Sequence, residues 1–79
     1  MAHSVTVYKN GIELGSGSAT HGSTSITGYT ATLDRICERR NCQITITDGD
    51  HAGATWFSRV LDDDGAGNLT IAEPCPFQE

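Results

Sequence analysis

The 79-residue sequence predicts an all-β domain, a small antiparallel β-sandwich or barrel of about six short strands. Three observations carry this. Apolar and polar residues alternate in several short runs, the period of a strand with one buried face. Asn10-Gly11 lies between two such runs, and this dipeptide accepts the positive φ required at both centres of a type I′ turn. From Gly15 to Thr30 the chain is dominated by Gly, Ser and Thr and holds no Asp, Glu, Lys or Arg. Threonine favours extended backbone, while Ser and Gly supply little area to bury. Such a stretch suits a sheet surface that is half hydrated or packed against flat neighbouring protein.

The elements follow in order. A two-residue turn at Asn10-Gly11 sets Lys9 opposite Ile12 and Val7 opposite Leu14, so Val5, Val7, Ile12 and Leu14 share a core face and Thr6, Tyr8 and Glu13 share the other. Glycines 15, 17 and 22 loosen or bend the chain before a strand over 23–30. Ile26 is its only large aliphatic residue, which predicts an edge or an interface. Between 32 and 41, Leu33, Ile36 and Cys37 fall at helical spacing after a Thr32 cap, which predicts a short helical turn. A hairpin loop over 38–41 is the alternative, and it would set Cys37 opposite Cys42. Ile44 and Ile46 then alternate with Gln43, Thr45 and Thr47. The loop 48–53 reverses the chain into a strand over 54–61, where Trp56 and Phe57 point to opposite faces, one into the core and one towards a partner. A second Asp/Gly turn at 62–68 leads to a last strand over 69–73, and Pro74 and Pro76 stop further pairing; Phe77 joins the expected core.

One domain of this size sits near the limit at which a single core offsets chain entropy, which favours added burial against a partner. The net charge of −5 argues against nucleic acid, whose phosphates call for clustered Lys and Arg. Charge is uneven along the chain. Lys9, Arg35, Arg39 and Arg40 outweigh the acids through Thr45, whereas from Ile46 onward Arg59 stands alone against seven carboxylates. A basic tip on one subunit could thus meet an acidic edge on another. Residues 1–9 lack the basic start and apolar run of a signal peptide, and no segment is long enough to span a bilayer as a helix. No membrane partner and synthesis in a cytoplasm are the expectations. The odd count of three cysteines fits that compartment, because one chain cannot pair them all.

Candidate chemistry is sparse. Cys37, Cys42, Cys75 and His51 would suit zinc if the fold gathered them, but Cys37-x4-Cys42 is wide spacing with no second close pair; ordinary buried thiols are preferred to zinc or to a Cys37–Cys42 bridge. Asp48, Asp50 and the run Asp62-Asp63-Asp64-Gly65 offer calcium its hard oxygens, yet the twelve-residue loop template places Val60 first and Ile71 last and fails. Solvated turn carboxylates are preferred, with a weak site shared between the two loops left open. His51, Ser58 and Asp48 could form a nucleophilic set, but no nucleophile elbow frames Ser58. His3, His21 and His51 read as a mobile end, a strand surface and a turn. The expectation is no enzyme, no catalytic residue, no metal and no cofactor.

The pattern Gly15-Ser-Gly-Ser-Ala-Thr-His-Gly-Ser-Thr-Ser-Ile-Thr-Gly28, then Ile44-Thr-Ile-Thr-Asp-Gly, His51-Ala-Gly-Ala-Thr-Trp56, Arg59-Val60, Asp64-Gly-Ala-Gly-Asn-Leu-Thr-Ile-Ala72 and a Pro-Phe close resembles small structural proteins of tailed bacteriophages. Those are head decoration, head-to-tail and tail proteins, and the likeness covers most of the chain. The resemblance implies a non-enzymatic virion component, most simply a capsid decoration protein in many symmetric copies. Its partners would be the major capsid protein or another virion protein, as a homo-oligomer on the particle. It implies no catalytic residues. Three cysteines, and no long N-terminal arm, depart from that pattern. The interface expected on this reading comprises Ser16, Ser18, Thr20, Ser23, Ser25, Thr27 and Tyr29 of the polar stretch, Arg39 and Arg40 of the basic tip, and Phe57. A tail or head-tail connector component, or a small module binding a glycan or host protein through Trp56 or Phe57, are the alternatives.

Overall fold

Six antiparallel strands close on themselves: β1 (His3–Lys9), β2 (Ile12–Ala19), β3 (Ser25–Ala31), β4 (Asn41–Ile46), β5 (Thr55–Asp63) and β6 (Leu69–Ile71). They are seen in a computed structural model that describes residues 2–32 and 41–78. The order around the barrel is β1-β2-β3-β6-β5-β4, returning to β1. Two three-stranded meanders, β1–β2–β3 and β4–β5–β6, are thus joined along β1/β4 and β3/β6. Closure settles the sandwich-or-barrel question: among the described residues each of the six strands pairs with a neighbour on both sides. β3 is paired on both sides, by β2 and β6, and is not the edge its weak apolar content predicts. Residues 33–40 of the helical turn expected at 32–41, and Cys37 of its alternative, lie outside the described residues; Asn41, the last residue of both, opens β4.

Alternation builds the core. Val5 and Val7 of β1, Ile44 and Ile46 of β4, Val60 of β5 and Ile71 of β6 all point inward and are buried, with Ile26 filling β3's share. Burying each of these is worth about 1.5–3 kcal/mol. Trp56 is buried and Phe57 is not, as opposite-face neighbours on one strand require.

Asn10 and Gly11 both carry positive φ, 53° and 79°, as a type I′ turn demands. The hairpin register departs from expectation two residues later. Lys9 faces Ile12 and Tyr8 faces Glu13, but Val7 faces Gly15, so Leu14 is the extra residue of a β-bulge. Gly15 takes the place opposite Val7, Leu14 turns inward, and Ile12 is left at the hairpin tip, 56% exposed rather than in the core. A second slip between Ser16 and Ser18 follows.

Gly15 and Gly17 do more than loosen the strand. A Cβ at Gly15 would lie 2.5 Å from the Tyr29 ring, and one at Gly17 would lie 2.8 Å from the Thr27 carbonyl oxygen. The missing side chains are what let β3 approach.

One end of the barrel is closed by the segment after β6. Trp56 Nε1 donates to the Glu73 carbonyl at 3.2 Å, the Glu73 N–H donates to Ser58 Oγ at 2.9 Å, and the Cys75 N–H donates to the Ser23 carbonyl at 3.3 Å. Phe77 is half-buried against this end, its ring 6.0 Å from Trp56 and 5.8 Å from His51. His3 is no mobile end: it is buried in β1 with Nε2 3.1 Å from the Phe77 carbonyl oxygen. The β3/β6 joint is the narrowest in the barrel, with Ser25 opposite Thr70 and Ile26 opposite Leu69.

Candidate interaction surface

Outward residues line up in rows that cross several strands. Thr30, Ser16, Thr6, Thr45 and Thr55 follow one another by register across β3, β2, β1, β4 and β5. A second row runs Thr27, Ser18, Ser4 across β3, β2 and β1, and a third runs Glu13, Tyr8, Gln43, Phe57 across β2, β1, β4 and β5. The side chains bond along the wall: Thr45 Oγ1 and Thr55 Oγ1 are 3.0 Å apart, and Gln43 Nε2 donates to Thr45 Oγ1 at 3.4 Å. Thr45 and Thr55 thus satisfy one another across β4 and β5, and short hydroxyl side chains make up the rest of the row. Thr6 faces outward by register yet is only 9% exposed.

The polar residues expected at an interface separate into groups. Ser16, Ser18, Ser25 and Thr27 stand on adjoining strands β2 and β3, with Ser18 directly opposite Thr27. Thr20 and Ser23 lie in the β2–β3 connection, where the Ser23 N–H donates to the Thr20 carbonyl at 2.9 Å. Tyr29 is half-buried and packs against the core, its ring over Gly15. Phe57 is on β5, across the barrel from β2. Arg39 and Arg40 lie outside the described residues. Absent from the sequence expectation are Leu61 and Ile12, exposed at 46% and 56% beside Phe57's 62% as the large exposed apolar side chains among the described residues. Alternation from Trp56, Ser58 and Val60 already points Leu61 outward; the slip in the β5–β6 register between Val60 and Asp62 turns Asp62 outward directly after it, which a sequence pattern does not display.

The acidic turns are held by their own carboxylates. Asp64 takes a hydrogen bond from the Asn68 side-chain amide at 2.8 Å and one from the Ala66 N–H at 2.7 Å, which hold its carboxyl below the usual carboxylate range. The Ser4 N–H donates to Asp48 Oδ1 at 3.1 Å and lowers that carboxyl likewise. These turns sit at opposite ends of β5, so they cannot share a calcium ion, and the site left open between them is not formed.

Cys42 and Cys75 are buried, and Cys37 lies outside the described residues. No three His, Cys, Asp or Glu groups gather for a metal among the described residues. His51 meets the rings of His3 and Phe77. Ser58 is buried with Oγ donating to the Arg59 carbonyl at 3.0 Å while accepting from Glu73 N–H, which satisfies a hydroxyl placed inside the core.

No helix among the described residues is long and apolar enough to cross a membrane. Comparison with family models, with curated proteins and with solved structures finds no match to this chain.

Proposed function

We propose that this chain is a non-enzymatic virion protein, made in the host cytoplasm, that decorates a capsid in many symmetric copies. The observation that carries the reading is the uncharged hydroxyl wall on β2 and β3, where Ser16, Ser18, Ser25 and Thr27 adjoin on a closed barrel. A closed barrel cannot recruit a partner by adding a strand, so its contacts run through side chains on its outer walls. A wall of short hydroxyls offers a protein surface hydrogen bonds at little conformational-entropy cost, and the chain's likeness in texture to phage structural proteins supports the same reading. An average interface covers about 800 Å² per partner. That is a modest share of the 4632 Å² this protein exposes. Binding of this kind stabilises both partners by mass action, which suits a module that reinforces a shell. The polar outer wall and apolar interior also support a partner that is neither a membrane nor nucleic acid.

Peptide mass spectrometry on purified particles, counting copies against the major shell protein, tests the proposal. Hundreds of copies are expected. A dozen or so would move the protein to the neck or tail, and absence from particles would overturn the reading. Ser18→Lys with Thr27→Lys puts two adjoining positive charges on the wall and is expected to abolish binding by a protein that remains folded.

A further inference from the structure

We infer that the outer face of β5 is a self-association surface, on which a second copy of this chain docks about a two-fold axis at Leu61. Arg59 of each copy then faces Asp62 of the other. The surface comes from the β5–β6 register. Val60 faces Ile71 and Asp62 faces Thr70, so Leu61 is the inserted residue and Leu61 and Asp62 both turn outward in succession. One wall therefore carries, in order, an aromatic ring at Phe57, a guanidinium at Arg59, an aliphatic group at Leu61 and a carboxylate at Asp62, all exposed. Among the described residues neither Arg59 nor Asp62 makes a side-chain hydrogen bond or ion pair, whereas Lys9, the other described cation, is committed to the Asn41 carbonyl at 3.2 Å.

Charge selects the occupant. A chain of net charge −5 repels its own copy in most orientations, and least where a cation is free. In a two-fold interface residue i meets j and j meets i. An axis at Arg59 would stack guanidinium on guanidinium. An axis at Leu61 stacks two aliphatic side chains and forms two Arg59–Asp62 pairs, so the patch is complementary to itself. Phe57 adds apolar area beside it. The inference holds whether or not the virion reading does. The β2 wall lies across the barrel, so a dimer formed through β5 leaves both copies' β2 walls uncovered.

Sedimentation equilibrium on the intact chain from micromolar to millimolar concentration tests this, with near-ultraviolet circular dichroism of the buried Trp56 as the folding control. A monomer–dimer equilibrium is expected. Arg59→Asp and Asp62→Arg should each weaken it about tenfold or more, and the double exchange should bring it back to within about threefold. Asp62→Arg moves the net charge from −5 to −3 and so relieves overall repulsion. Weakening by that variant therefore reports the pair and not the total charge, and the double exchange keeps −5. A folded monomer throughout the range, a closed ring larger than a dimer, or single variants that weaken association without mutual rescue would each overturn the inference. Particle binding through Ser18 and Thr27 is a separate measurement and can succeed or fail independently.

Discussion

The meanders β1–β2–β3 and β4–β5–β6 cover one core with opposite chemistries. In β4 and β5 the register runs from Asn41 opposite Arg59 to Thr45 opposite Thr55 without a slip, and every second residue is a committed core group. In the first meander the register slips twice, and positions opposite core residues are taken by glycine. There a neighbour replaces the absent side chain: Tyr29 covers Gly15, and Ile26 Cγ2 closes on Gly17. Alternation fixes faces only while no residue is inserted, and a glycine inside a strand marks where another strand's side chain intrudes.

The hardest way to break this comparison is to hollow each half in turn. Ile44→Ala and Ile26→Ala remove fully buried side chains from β4 and β3, and each is expected to cost about 2–5 kcal/mol by urea denaturation. Ile12→Ala at the exposed tip should stay within about 0.5 kcal/mol. A small loss at Ile26 would mean that the first meander does not share the core.

Gly15→Ala comes next. Its new Cβ would meet the Tyr29 ring at 2.5 Å and the Thr30 carbonyl at 2.6 Å. An expected cost of about 1–3 kcal/mol, partly relieved in a Tyr29→Ala background, would sharpen the claim that Tyr29 stands in for the side chain. Gly11→Ala meets nothing within 4 Å, so its expected loss of about 1–2 kcal/mol is backbone strain at φ 79° alone.

The smallest effect lies in the second meander's turn. The Asp64 carboxyl is lowered by Asn68 and Ala66, so its contribution is present above the unfolded pKa near 3.9 and is lost as pH falls through the lower folded value. The urea midpoint is expected to drop on acidification below about pH 4, and less so in Asn68→Ala.

Local pattern made much of this fold legible. Asn10-Gly11 announced its turn, Ile44 and Ile46 their inward face, and the pair Trp56-Phe57 its division between core and solvent. The bulges at Leu14 and Leu61 were not legible, because one inserted residue changes neither composition nor propensity. Nor was closure, which depends on β1 meeting β4 and β3 meeting β6 across long stretches of chain. His3 holds the Phe77 carbonyl from 74 residues away, so nothing near it in sequence could place it. The candidate surface suffered the same blindness. Ser18 and Thr27 came from one polar stretch and do adjoin, but Phe57, grouped with them by exposure alone, belongs to the far side of the barrel.

The two-pair joint between β3 and β6 sets how this molecule comes apart. Unzipping it breaks two register pairs, the Tyr29–Gly67 and Ile71–Thr24 backbone bonds beside them and the Cys75 bonds to Gly22 and Ser23, and it leaves both meanders and the β1/β4 joint intact. What remains is a curled six-stranded sheet with two raw edges, the state in which amides at Ile26 and Ile71 exchange with water first. Strand addition by another chain begins from that sheet rather than from the closed barrel, so aggregation should track the rate of this opening more closely than global unfolding.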